Sequence, residues 1–243
     1  MIGHRRCFSF FRVPMLSVLA GSLLLAGCAT STPTFNESNP DAADAYAQLG
    51  VAYLERDNLP RALNALDRAL ELDARHPEAL QAIALVYQQQ GERELANRYF
   101  QQALNVSPSF TRGRNNYAAF LYQQGRYPEA CEQLEIASED AQYASRAQLF
   151  TNLGQCYLAT DEFDKARDRL QRAQSIDPRN TRGYLMLAEL EVSQGRYDQA
   201  WEPLQSYLQL AGPDPAALEM AVDIALARGD TATADEYQRL LAP

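Results

Sequence analysis

IALVYQQQGERELANRYFQQA, residues 83–103, repeats in outline 34 residues upstream as LGVAYLERDNLPRALNALDRA, residues 49–69. Leu49, Gly50 and Tyr53 align with Ile83, Ala84 and Tyr87, and beyond a polar break Ala62, Leu66 and Ala69 align with Ala96, Phe100 and Ala103. Apolar residues at intervals of three and four on both sides of a break holding Gly or Asp predict two short amphipathic helices joined by a turn. A unit this small cannot bury its apolar face alone, so self-similarity at such a period means a stacked array. The frame continues through Tyr117, Ala118 and Leu121 with Ala130, Leu134 and Ala137, then through Leu153, Gly154 and Tyr157 with Ala166, Leu170 and Ala173. It runs on through Leu187 and Ala188 with Ala200 and Leu204, and fades at Ala221 and Val222 with Ala234.

This is the tetratricopeptide (TPR) pattern, and it predicts an all-α TPR superhelix of six helix-turn-helix repeats, framed as 43–76, 77–110, 111–146, 147–180, 181–214 and 215–243. Small residues at the eighth position (Gly50, Ala84, Ala118, Gly154, Ala188) and Ala at the twentieth in every repeat let the two helix backbones approach, while large residues fill the space between. Gly91, Gly125, Gly195 and Gly229 mark the turns inside four repeats, and Asp57 and Asp161 those of the other two. Pro108 and Pro178 end second helices. Gln238 replaces a large apolar residue in the last repeat, as suits a terminal helix meeting water. One interval, from the third repeat to the fourth, is 36 residues, with the surplus between Ser138 and Arg146.

Outward from the array, the amino terminus reads as an address. Arg5, Arg6 and Arg12, with no acid, precede an apolar run from Val13 to Ala26 that is too short for an ordinary membrane span. It ends in Leu25-Ala26-Gly27-Cys28, which resembles the lipobox of bacterial lipoproteins. That resemblance implies removal of residues 1–27 and acylation of Cys28, and Ala29 after the cysteine implies sorting to the periplasmic face of the outer membrane. Residues 28–42 then form the lipidated cysteine and a tether, of which Ala29 to Asp41, rich in Ser, Thr, Pro and Asn, reach about 45 Å at full extension and keep the folded part near the membrane.

The chain carries 22 Lys and Arg against 31 Asp and Glu, a net charge of −9, and cleavage would remove three arginines and no acid. Such a surface repels phosphate, so nucleic acid is not an expected partner. With His4 and His76 as the only histidines, imidazole-rich metal sites and convincing catalytic triads are excluded. His76, before Pro77 at a repeat junction, reads as an exposed turn residue, and the acids read as mostly outward-facing. No phosphate loop and no Cys/His spacing is present, so the expectation is a protein that is not an enzyme and needs no cofactor. After cleavage the thiols other than Cys28 are Cys131 and Cys156, on neighbouring helices of repeats three and four. In an oxidising periplasm they suggest a disulfide, the alternative being two separate buried thiols.

Residues 114–127 (RNNYAAFLYQQGRY), Glu135-x-Ala137-Ser138, Tyr143-x-x-Arg146 and Asn152-Leu153-Gly154 resemble the type IV pilus biogenesis TPR lipoprotein family. Lipobox, tether, six repeats and the two-residue expansion correspond over the whole mature chain, with Ala118 standing where the family motif has Gly. The resemblance implies a pilotin: a lipoprotein that binds the type IV pilus secretin and promotes its outer-membrane localisation and ring assembly, hence twitching motility. The rival expectation is another TPR lipoprotein adapter, for example a scaffold for cell-wall hydrolases. Inward-facing positions of the first helices give the candidate partner-binding set: Ala47, Val51 and Leu54 as an exposed apolar end, Leu85 in the second repeat, and Asn115, Asn116 and Tyr122 as a polar border able to bond an extended backbone.

Overall fold

The structure, a computed structural model, describes residues 39–241. The expected signal peptide, the expected lipidation site Cys28 and the expected tether as far as Ser38 lie outside the described residues. Among those described there are twelve α-helices and no strand. They pair as α1 (Pro40–Leu54) with α2 (Leu59–Leu72), α3 (Pro77–Gln89) with α4 (Arg93–Val106), and α5 (Thr111–Gln123) with α6 (Tyr127–Ser138). The series continues with α7 (Arg146–Ala159) and α8 (Phe163–Ile176), α9 (Thr181–Ser193) and α10 (Tyr197–Ala211), and α11 (Pro215–Ala227) and α12 (Thr231–Leu241). Each pair is one repeat of an all-α TPR superhelix.

The eighth position shows why the repeat demands small residues. A Cβ placed on Gly50 would meet Leu66 Cγ at 2.5 Å, and one on Gly154 would meet Leu170 Cγ at 2.7 Å. The alanines at position twenty (Ala62, Ala96, Ala130, Ala166, Ala200, Ala234) are all buried, and Leu66, Phe100, Leu134, Leu170 and Leu204 fill the seam between helices. Each such side chain contributes about 1.5–3 kcal/mol on leaving water. The intra-repeat turns pass through left-handed residues at one repeated site, which is occupied by Gly91, Gly125, Gly195 and Gly229 but also by Asp57 (φ 56°) and Asp161 (φ 59°). Asp tolerates this region better than most residues because its short polar side chain bonds locally.

Helix starts depart from the repeat frame at the amino-terminal end. The α1 helix opens at Pro40 rather than at 43, because Asn39 Oδ1 accepts the Ala42 amide (3.1 Å) and Pro40 is pre-set for the first helical residue. The described helical array therefore begins at Asn39, ahead of residue 43 where the repeat frame starts. His76 is also not the exposed turn residue that its place before Pro77 suggests. It is buried as the N-cap of α3, its Nδ1 accepting the Ala79 amide (3.3 Å) and its Nε2 2.8 Å from Asp44 Oδ1 on α1. With Nδ1 accepting, the ring proton is on Nε2 and is donated to Asp44. The first two repeats are thus stapled by a polar contact.

The expanded interval lengthens the connection between α6 and α7 and shortens α6 to 12 residues. Its Asp140 is fixed from both sides: Oδ2 accepts the Thr111 hydroxyl (2.6 Å) and Oδ1 the Gln142 amide (2.9 Å). The Thr111 bond, ahead of the amide bonds, holds the Asp140 carboxyl below its usual pKa. Beside this connection Cys131 of α6 and Cys156 of α7 are joined as a disulfide with Cα atoms 5.6 Å apart. Glu191 is an exception to the mostly outward placement of the acids. Where Tyr53, Tyr87 and Tyr157 stand in other repeats, this carboxylate is 2% exposed, and both its oxygens are bonded, one to Arg167 Nε of α8 and one to Arg196 Nε (both 2.5 Å).

Candidate peptide-binding groove

The first helices of successive repeats, α1, α3, α5, α7 and α9, touch one another in order and present one continuous face. Side chains at the second, fifth, sixth, ninth, twelfth and thirteenth positions share that face because they recur every three or four residues. Across it runs a ladder of amides. Gln88 Nε2 donates to Gln123 Oε1 (2.8 Å), linking α3 to α5, and Asn152 Nδ2 donates to Asn115 Oδ1 (3.1 Å), linking α7 to α5. Gln148 Nε2 donates to Asn152 Oδ1 (2.9 Å), and Arg182 of α9 reaches back to Asn152 Oδ1 (3.5 Å) and to Gln155 Oε1. These bonds hold the polar tips in place between helices, so their remaining donors and acceptors are fixed in direction before any ligand arrives.

Over the ladder opens a pocket of 360 Å³. Tyr122, Ala119 and Leu134 make its apolar side, and Asn152, Gln155 and Arg182 its polar side. The ring of Tyr122 leans on Tyr127, with centroids 4.9 Å apart. An apolar wall facing fixed amides suits a chain segment that buries a side chain and bonds through its own backbone. Farther along, desolvation raises the carboxyl of Glu189 on α9 above the usual pKa.

Of the predicted binding residues, Asn115, Asn116, Tyr122 and Leu85 are half-buried, and Asn115 and Tyr122 meet at the ladder and pocket just described. The amino-terminal apolar end needs correction. Val51 is 37% exposed, but Ala47 (3%) and Leu54 (9%) are interior residues, packed into the cluster formed by Leu66, Ala69, Ile83 and Val86. The same helix face that opens onto the groove in the middle of the array turns, at these two positions, into the seam between α1, α2 and α3. Sequence reasoning missed Asn152, Gln155 and Arg182 as groove residues. The polar side chains at the groove-facing second, sixth and ninth positions of repeats four and five were the available signal.

Tetratricopeptide repeat families match residues 35–80, 77–110, 111–179 and 157–223. The type IV pilus assembly protein PilF of Pseudomonas aeruginosa is 33% identical over 217 residues, which are 88% of this chain and 86% of that protein. The chain belongs to the PilF family. A solved structure of Pseudomonas aeruginosa PilF superposes on this PilF-family chain with a TM-score of 0.74 at 32% identity, covering 83% of this chain and 90% of that one. The structure of PilW, described as a widely conserved type IV pilus biogenesis factor, shares the fold with a TM-score of 0.70 at 24% identity, covering 82% and 91%. An uncharacterised protein of Haemophilus influenzae is 28% identical over 67% of this chain and 90% of its own length.

Proposed function

We propose that this PilF-family protein acts in type IV pilus biogenesis as a pilotin: a lipoprotein held by Cys28 at the periplasmic face of the outer membrane that binds the pilus secretin and promotes its localisation and assembly. The observation that carries the reading is the amide ladder beneath the Tyr122 pocket, a preorganised surface for a polypeptide segment, in a chain one-third identical along most of its length to a type IV pilus assembly protein. The mechanism is delivery by binding, with no covalent step. The acyl anchor supplies the location and the groove supplies the grip. Crosslinking followed by affinity capture from native membranes tests it. Recovery of the secretin with the wild-type protein, and its loss on Tyr122→Ala with Asn152→Ala at unchanged helical circular dichroism, is the expected result. A folded wild-type protein that captures no secretin defeats the proposal.

A further inference from the structure

The groove is unevenly furnished with hydrogen-bonding atoms. On α3, Gln81 is 6% exposed and its buried Oε1 has no partner, while Gln88 spends its Nε2 on Gln123 and leaves a buried Oε1 free. A buried acceptor without a partner costs about 1–3 kcal/mol, so two of them seven residues apart on one helix face call for a donor that arrives from outside. At the corresponding positions of the last two first helices stand Glu189 of α9 and Glu219 and Asp223 of α11, all exposed. Among the described residues none of the three pairs with Lys or Arg. Leu185 and Val192, half-buried, and Leu226, exposed, occupy the matching positions of the same two helices, so each helix carries apolar residues beside its acids. Among the described residues the first helices thus offer unpartnered acceptors on α3 and unpaired acids on α9 and α11, and Arg182 between them is already bonded to Asn152 and Gln155.

We infer that the groove selects an extended segment bearing a Lys or Arg, with the basic side chain over Glu189 and Asp223, an apolar side chain in the Tyr122 pocket, and backbone N–H groups turned toward Gln81 and Gln88. The assignment rests on the reading of this face as the partner-binding face and specifies the chemistry of what lies there. Packed helices sit about 8–10 Å apart, so α5 to α9 spans about 16–20 Å, the length of about five or six extended residues. That distance separates the apolar anchor from the basic residue.

Fluorescein-labelled ten-residue peptides on a Ser/Thr background test this against the mature chain by fluorescence anisotropy. Each peptide carries one Leu and one Lys at a separation of about two, four or six residues, and each has a Glu counterpart. The expected result is at least about tenfold tighter binding of the Lys peptide at the widest separation than of its Glu counterpart, a preference abolished by E189Q with D223N at unchanged circular dichroism. Gln81→Leu should weaken all the Leu-bearing peptides several-fold while the melting temperature stays equal or rises, which a purely structural role for Gln81 would not produce. Equal affinity for Lys and Glu peptides, no binding of any peptide, or a preference that survives E189Q with D223N overturns the inference. Secretin capture undiminished in the E189Q/D223N protein overturns it too while leaving the pilotin reading standing. Failure of the wild-type protein to capture secretin, with the peptide preference intact, defeats the pilotin reading alone.

Discussion

Glu191 stands where three other repeats carry Tyr, and its burial between Arg167 and Arg196 replaces aromatic packing by an ion triad. Arg167 has two carboxylate partners, Asp164 on its exposed side and Glu191 on its buried one. Removing Glu191 leaves a guanidinium that is only 18% exposed with no partner on its buried side. Breaking such a pair from one side costs about 3 kcal/mol, and Glu191→Ala should lower the denaturation midpoint accordingly. Chemical denaturation followed by circular dichroism checks it, and a loss below about 1 kcal/mol would mean that water takes over the role of the carboxylate. At Cys28 the expectation concerns place rather than stability. Each buried CH₂ of an acyl chain contributes about 0.8 kcal/mol to membrane binding, so Cys28→Ala should move the protein to the soluble periplasmic fraction. Intact-mass analysis of the membrane form should find acylated Cys28 as the first residue, and any other amino terminus refutes the assignment.

The α6–α7 connection is the one place where the helical period is broken and a covalent bond is added. A longer connection leaves two helices freer to separate in the unfolded chain, and the Cys131–Cys156 disulfide, 25 residues apart in sequence, removes that freedom. The chain-entropy account gives about 3 kcal/mol for a loop of this size. Cys131→Ala with Cys156→Ala should therefore lower stability by about 2–3 kcal/mol with the helical content retained, measured by urea unfolding. Alkylation of the native protein without reductant should label neither residue, and quantitative labelling of both contradicts the bridge. The element scale also explains why α1 began earlier than the repeat frame: capping by Asn39 and the fixed φ of Pro40 act before the packing positions do. A repeat frame records packing, whereas a helix start records local chemistry, and at an array's first helix no preceding repeat forces the two to coincide.

Across the whole molecule the groove separates variants that disturb binding from variants that disturb the fold. Val51 is exposed and Leu54 is interior, so Val51→Asp should leave the melting temperature within a few degrees of wild type, whereas Leu54→Asp buries a carboxylate beside Leu66 and Ile83 and should unfold the first repeat. Thermal melts of the two single variants decide this, and equal stability would mean that Leu54 is not a core residue. Much of the architecture was legible in the residues themselves. The 34-residue period, the small residues at positions eight and twenty and the left-handed turn sites at Asp57 and Asp161 are local or nearest-neighbour requirements, written once per repeat and therefore readable six times over. The resemblance carried by residues 114–127 was likewise sufficient to find the family. What tertiary structure alone decided is the environment of residues that share a helix face. Ala47 and Leu54 follow the same spacing as Asn115 and Tyr122, yet the former are sealed into the α1–α3 seam and the latter open on the groove. His76 and Glu191 look like surface residues until Asp44, Arg167 and Arg196 arrive from other helices. The physical reason is that periodicity fixes the direction of a side chain around its own helix axis, while exposure depends on the angle and distance of the helix packed against it, quantities that belong to pairs of helices and not to any stretch of sequence.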